Sequence, residues 1–163
     1  MKIRQDHEYA HDLEVVYAMF TDAEEVEAKH VALGARNFSI EECELYEDGA
    51  DVSFVRELPA EVPGVLARFL QPWNSVEQSE QWRSSDSGGY DAELDIDIAG
   101  VPVTIAGTLE LEPVEGGCVN HVRIDIDCGI PFVGKTLAEF VAKDCERLVA
   151  EEYDYICERL ASG

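Results

Sequence analysis

Apolar and polar positions alternate with two different periods along this chain. Residues 2–9 read as an extended segment, with Ile3 and Tyr9 on one parity. Leu13, Val16, Tyr17 and Phe20 then recur at three- and four-residue steps, which predicts a helix with Asp12 as its N-cap. Thr21 or Asp22 caps a second short helix carrying Val26, His30 and Leu33, and Gly34 stops it. From Ala35 the period is two. Phe38 and Ile40 lie on one parity and Cys43 and Leu45 on the other, a slip that predicts a bulge near Glu41–Glu42. Glu47-Asp48-Gly49 predicts a hairpin, after which Val52, Phe54, Arg56 and Leu58 share a face up to Pro59.

Between Pro59 and Pro72, the cluster Val65, Leu66, Phe69 and Leu70 predicts a short apolar helix over 64–70. Its length, where a tight hairpin would have sufficed, makes it a candidate lid or a plain packing helix. Trp73–Arg83 follows as a strand with Val76, Gln78, Glu80 and Trp82 on one parity. After a turn at Ser84–Gly89, Tyr90, Ala92, Leu94, Ile96 and Ile98 alternate with Asp91, Glu93, Asp95 and Asp97: one dry face, one wet. Past Gly100, Val103, Ile105, Gly107, Leu109 and Leu111 share the next face. Gly107 inside a strand marks either a bulge or the close approach of a helix or ligand. Glu115-Gly116-Gly117 turns the chain into a last strand with Cys118, Asn120, Val122, Ile124 and Ile126 on one side. From about Phe132 to Leu160 a single helix is predicted. Its stripe is Leu137, Val141, Cys145, Leu148, Glu152, Ile156 and Leu160, widened by Phe140, Val149 and Tyr153. At about 1.5 Å per residue it would be roughly 40 Å long.

No repeat, linker or low-complexity segment interrupts this order, so residues 1–163 are read as one domain of the α+β class. Seven antiparallel strands with one dry face have one long amphipathic helix to cover them. A twisted sheet curved around that helix touches it along a line and splays away at the sides. The expectation is a hollow lined by apolar side chains, partly closed by the two short helices that follow strand 1.

Composition changes the choice of partners more than the choice of fold. Against 12 Lys and Arg stand 35 Asp and Glu, a formal net charge of −23. Phosphate backbones and anionic membrane surfaces would repel such a chain, which argues against nucleic-acid binding and membrane insertion. No apolar run is long enough to span a bilayer and no signal peptide is visible near the start, so a cytoplasmic protein is expected. The five cysteines have no C-x-x-C spacing and read as reduced, mostly buried thiols.

His7-Glu8-Tyr9-Ala10-His11 matches the zinc-binding pentapeptide H-E-x-x-H. That motif works on a helix, where a four-residue step puts both imidazoles on one face. Asp12 at a cap position starts the helix after His11 and leaves His7 extended, so the two rings would stand about 13 Å apart. The third histidine expected six residues further on is Tyr17. The match is read as fortuitous, and no metal or cofactor is expected. Arg56 is the sharper candidate. Its parity points it inward, and a buried guanidinium needs a partner. It is read as an ion pair with Glu80, as a snorkelling side chain at the sheet rim, or as a fork holding the polar head of an otherwise apolar ligand. Gln78 and Asn120 are candidate polar contacts beside it. Phe69, Trp82, Tyr90, Leu137, Val141 and Tyr153 are candidate walls.

His7-Glu8-Tyr9 leading into Val16–Phe20, Arg56-Glu57-Leu58-Pro59, Pro72-Trp73, Gly100-Val101-Pro102 and Glu151-Glu152-Tyr153-Asp154 carry a likeness over about residues 2–160. In these the chain resembles the helix-grip domains of the START-like superfamily, which includes birch-allergen-like proteins and polyketide cyclases. More narrowly, it resembles a bacterial branch of that superfamily that is a domain of unknown function. The resemblance implies a curved seven-stranded sheet gripping the C-terminal helix, with a hydrophobic or amphipathic small molecule between them. Three functions are therefore weighed. The first is binding of a lipid-like or aromatic ligand by a monomer or homodimer. The second is a cyclase- or dehydratase-type enzyme. The third is a protein-interaction domain whose cavity has filled, leaving less than about 300 Å³.

Overall fold

The computed structural model describes residues 1–162. Its strands are β1 (Lys2–Tyr9), β2 (Arg36–Tyr46), β3 (Gly49–Pro59), β4 (Trp73–Ser84), β5 (Tyr90–Ile98), β6 (Thr104–Val114) and β7 (Gly117–Asp127). Helices α1 (Leu13–Thr21) and α2 (Ala23–Ala32) follow β1, and α3 (Gly134–Ser162) closes the chain. All seven strands form one antiparallel sheet in the order β1-β7-β6-β5-β4-β3-β2. The meander β2 to β7 is thus continuous, and β1 adds to its far side by pairing Ile3 with Ile124 and Tyr9 with Cys118. This is the helix-grip architecture, α+β, with the curved sheet set around α3.

Helix α3 makes its close backbone approaches to β1 and β7 at one margin and to α2 at the other. At the end of the sheet where β4 finishes and β5 begins, α1 fills the remaining space. Trp82 is fully buried there, with the Tyr17 and Phe20 rings 5.6 and 5.5 Å from its own. Tyr17 stacks in turn on Tyr90 at 3.7 Å.

Local departures from the expected pattern have physical causes. Asp12 holds the N-cap position of α1, but its side chain caps nothing; its carbonyl accepts from Val15 and Val16 instead. Asp22 is the working cap, accepting from the Glu24 and Glu25 amides. The predicted helix over 64–70 shrinks to one 3₁₀ turn, Gly64–Leu66, because prolines bracket the segment and Leu66 and Leu70 are drawn into the core. Helix α3 starts two residues later than Phe132, which is fully exposed with a left-handed φ of 68°. The bulge in β2 falls where the parity slip placed it, between Ile40 and Glu42. A second register break lies between Arg36 and Ser39, where Asn37 takes φ 53°.

Gly107 is explained by neither a bulge nor an approaching helix or ligand. Its pairing with Leu94 and Ile124 is in unbroken register. A Cβ at this position would lie 2.1 Å from the Arg123 carbonyl oxygen, so the β7 backbone itself occupies the space. Gly107→Ala is expected to lower the urea-unfolding free energy by about 1–3 kcal/mol through strain between β6 and β7. An unchanged transition midpoint would refute this account.

Candidate functional site

The ends of β3 and β5 and the starts of β4 and β6 meet at the edge of the sheet opposite α1. There the sheet and α3 part. Between them lies a cavity of about 130 Å³, partly open to solvent. Its floor is the dry face of the central strands, including Leu94, Ile96, Ile98, Ile105 and Ile124. Its roof is α3, through Phe140, Val141, Cys145, Leu148 and Val149. Leu58, Pro59, Ala60 and Leu70 form the wall at the β3–β4 connection. The only aromatic side chain in the lining besides His30 is Phe140, so nothing large projects from the floor to fill the space. The volume is below the roughly 300 Å³ at which most small-molecule sites begin. It is close to the ~150 Å³ of an apolar cavity that takes one benzene ring.

One wall is polar. Arg56, Gln78 and Glu80 face the cavity from β3 and β4, and each is almost wholly buried. Arg56 sits opposite Val76 in the register, one step from Gln78. Arg56 Nη2 donates to Gln78 Oε1 at 2.9 Å, and Gln78 Nε2 donates to Glu80 Oε2 at 2.7 Å. Trp82 Nε1 completes the row by donating to Glu80 Oε1 at 3.0 Å. The direct Arg56–Glu80 ion pair, one of the three readings weighed for Arg56, is therefore replaced by a relay through an amide. Period-two geometry explains this: 78, 80 and 82 are successive inward positions of one strand, and Gln78 is the one next to Arg56. Arg56 is also no rim residue, being 5 % exposed.

Its hydrogen bonding is incomplete. Nε has no partner, and Nη1 comes only to 3.5 Å from the Val76 carbonyl. A guanidinium has five N–H donors, and the protein answers two of them. Burial pushes the Arg56 pKa down to about 10, while Glu152 and Glu80 hold it up, so it remains a cation at neutral pH. Burial likewise raises the Glu80 carboxyl, opposed by Lys29 and its two hydrogen bonds.

Two basic groups, one beside the cavity and one in its lining, were not among the expected site residues. Lys29 of α2 is 1 % exposed, donates to the Met19 carbonyl at 3.1 Å, and pairs with Glu152 of α3 at 3.1 Å. Beside it, His30 lines the cavity; burial first, then Lys29 and Arg56, hold its pKa well below 6.5, and the ring is neutral. The spacing Val26, Lys29, His30, Leu33 puts Lys29 on the inner face of α2, and Glu152 interrupts the apolar stripe of α3. Those two charges at apolar positions were the available signal. At the far side of the roof, Asp144 pairs with Arg147 at 2.7 Å. Burial pushes the Cys145 thiol up to about 12, so it stays protonated.

Of the ten residues expected at the site, Arg56, Gln78, Glu80 and Val141 line the cavity. The other six lie elsewhere. Trp82 and Tyr90 belong to the filled end under α1, where the Tyr90 hydroxyl donates to Glu14 at 2.7 Å. Tyr153 faces β1 from the flank of α3: its ring stacks on His7 at 4.4 Å and its hydroxyl donates to the Glu8 carbonyl at 2.7 Å. Leu137 is consumed by the core, and Phe69 packs against its outside on the proline-bracketed segment. Asn120 is buried away from the cavity with Oδ1 unpartnered, so it is neither a second ligand contact nor a satisfied amide. His7 stands in β1, hydrogen-bonded to Gln5 at 2.7 Å, and His11 lies beyond the strand; the two do not share a helix face. Among the described residues, no helix is long and apolar enough to cross a membrane.

A curved antiparallel sheet, a gripped C-terminal helix and a hollow between them define a helix-grip protein. Within that class the chain belongs to the family described as a protein of unknown function, DUF2505, whose profile matches residues 4–160. An uncharacterized protein of Mycobacterium tuberculosis, Rv0481c, is 28% identical over 93 residues, 56% of this chain and 53% of that one. The match spans about half the length of the curated relatives. Among solved structures, TTHA0849 from Thermus thermophilus superposes with a TM-score of 0.67 at 16% identity, covering 99% of this chain and 98% of that one. Ms6760 from Mycobacterium smegmatis gives 0.63 at 8% identity over 99% and 91%. Ara h 8.0201 gives 0.58 at 9% identity over 97% and 98%. At such identities the likeness is one of fold.

The raised Glu80 carboxyl carries a pH prediction. Below its ordinary value of 4.5, Glu80 is protonated folded or unfolded, and its burial costs nothing that depends on pH. As the pH climbs from there through the raised native value, the unfolded chain ionises first and the native state loses stability. Glu80→Gln removes that proton. In urea denaturation the variant is expected to gain on the parent protein from about pH 4.5 upward until the raised native value is passed, by at most about 1.4 kcal/mol per pH unit. A difference independent of pH would contradict the assignment.

Proposed function

We propose that this protein binds a small hydrophobic or amphipathic molecule between the sheet and α3, with Arg56 at the polar end. The observation that carries the reading is the cavity itself: an apolar floor and roof meeting a buried guanidinium with unanswered donors. Apolar walls supply affinity and a few placed polar groups supply orientation, which is the ordinary division of labour in ligand sites. The fold likeness to Ara h 8.0201, a birch-allergen-like protein, supports the same reading. The volume of about 130 Å³ lies inside the bound set for a filled, protein-interacting interior. The unanswered donors of the polar wall favour binding instead, and the space suits one ring or a short branched chain rather than a long-chain lipid. Binding is proposed rather than catalysis because the Glu80 carboxyl is tied at both oxygens, to Gln78 and to Trp82, instead of being turned free toward the hollow. The net charge of −23 makes nucleic acid and anionic membrane poor partners, and the proposed setting is the cytoplasm.

Native mass spectrometry of freshly purified protein, with thermal unfolding in propylbenzene, tests the reading. At ten times its Kd such a ligand is expected to add about 1.4 kcal/mol and raise the Tm by about 3–6 °C. Val141→Phe fills the roof and is expected to abolish that rise while leaving the unliganded Tm unchanged or higher. No co-purifying compound and no ligand-dependent shift in the parent protein would mean that the interior is a filled core.

A further inference from the structure

The charges around the cavity constrain the ligand more narrowly than its shape does, given the binding reading on which this inference rests. Three carboxyls face the hollow, and each has a cation on hand. Glu152 has Lys29 at 3.1 Å, and Asp144 shares Arg147, at 2.7 Å, with Glu151 at 2.9 Å. Glu80 has Arg56, reached through the Gln78 amide. Both Glu80 oxygens accept hydrogen bonds, from Gln78 and from Trp82, and no acceptor stands by for a carboxyl proton; that is the pattern of the ionised form. The interior thus has no surplus of positive charge. An incoming carboxylate would be a surplus anion in a low-dielectric space, inside a chain whose net charge is already −23. Yet Arg56 has N–H donors left over, one of them buried without any partner. Only an acceptor that brings no charge meets both conditions.

We infer that the ligand is a neutral, ring-sized molecule whose carbonyl oxygen accepts from Arg56, an aryl ketone or aldehyde in chemical class rather than a carboxylic acid. The apolar body lies between Ile96, Ile98 and Val149, and the oxygen turns toward β3. Gln78 has a defined part in this. By accepting from Arg56 with Oε1, it keeps the guanidinium facing the hollow instead of folding onto Glu80.

Three nearly isosteric probes separate the possibilities: ethylbenzene, acetophenone and benzoate, titrated at neutral pH by calorimetry and amide NMR. Acetophenone is expected to bind about tenfold more tightly than either of the others, the scale of one charge-assisted hydrogen bond. Arg56→Met is expected to erase that advantage, so that acetophenone and ethylbenzene bind the variant alike. Because Arg56→Met leaves Gln78 without its donor and can unfold, carbonyl-labelled acetophenone bound to the parent protein gives an independent readout. Its ¹³C resonance is expected downfield of its position in hydrocarbon solvent. Tightest binding by benzoate would overturn the inference in favour of an anionic head. Equal binding of acetophenone and ethylbenzene would overturn it while leaving the hydrophobic site standing. Binding of none of the three would end both the inference and the binding reading.

Discussion

A straight helix cannot follow a sheet that curls around it, and the rest of this molecule depends on where the two part. Helix α3 comes close to β1 and β7 on one side and to α2 on the other. Over the central strands, contact has to be made by something else. At one end α1 does so, bringing Tyr17 and Phe20 down onto Trp82. At the other end only a 3₁₀ turn is available, and its Leu66 and Leu70 reach inward without closing the gap. The asymmetry of the interior follows from the asymmetry of the connections: two helices after β1, one turn after β3.

The open end is also where the chain has buried its charge. An interior guanidinium is costly unless its hydrogen bonds and its counter-charge are both supplied. Here the counter-charge is present and the hydrogen bonds are not all made. Gln78 separates the two ends of what would otherwise be a contact ion pair, passing the interaction from Arg56 to Glu80 through one amide. The amide relay leaves the guanidinium held but with donors unanswered, the feature on which the proposed binding rests. Lys29 and Glu152 perform a different task nearby: they join α2 to α3 across the margin of the hollow and close its side.

The fold was legible because each element carried its own periodicity. The acid-and-aliphatic alternation of β5 and the stripe of α3 leave little room for another reading, and the parity slip near Glu41–Glu42 located a bulge to within a residue. The site was legible only in part, for a geometrical reason. Parity tells which way a strand residue points, so Arg56, Gln78 and Glu80 could be placed on the inner face. It does not tell how far along the sheet the hollow lies. Trp82 and Tyr90 share that face but sit at the filled end, and nothing local to them says so. On α3 the ambiguity is rotational: Tyr153 lies beside Glu152 in sequence, yet one faces the cavity and the other grips β1. Lys29 and Glu152 were visible as charges at apolar positions. Their pairing is a contact between distant parts of the chain, which no spacing rule reaches.

The two register breaks in β2 bear on something other than the interior. β2 is the outer strand of the meander, eleven residues long, and one side of its backbone has no neighbour in the sheet. Such an edge is a template on which another chain can add a strand. The break at Asn37 and the bulge before Glu42 divide it into short pieces that a straight incoming strand cannot match for more than a few residues. The irregularities that look like flaws in the ladder therefore act as a guard against aggregation.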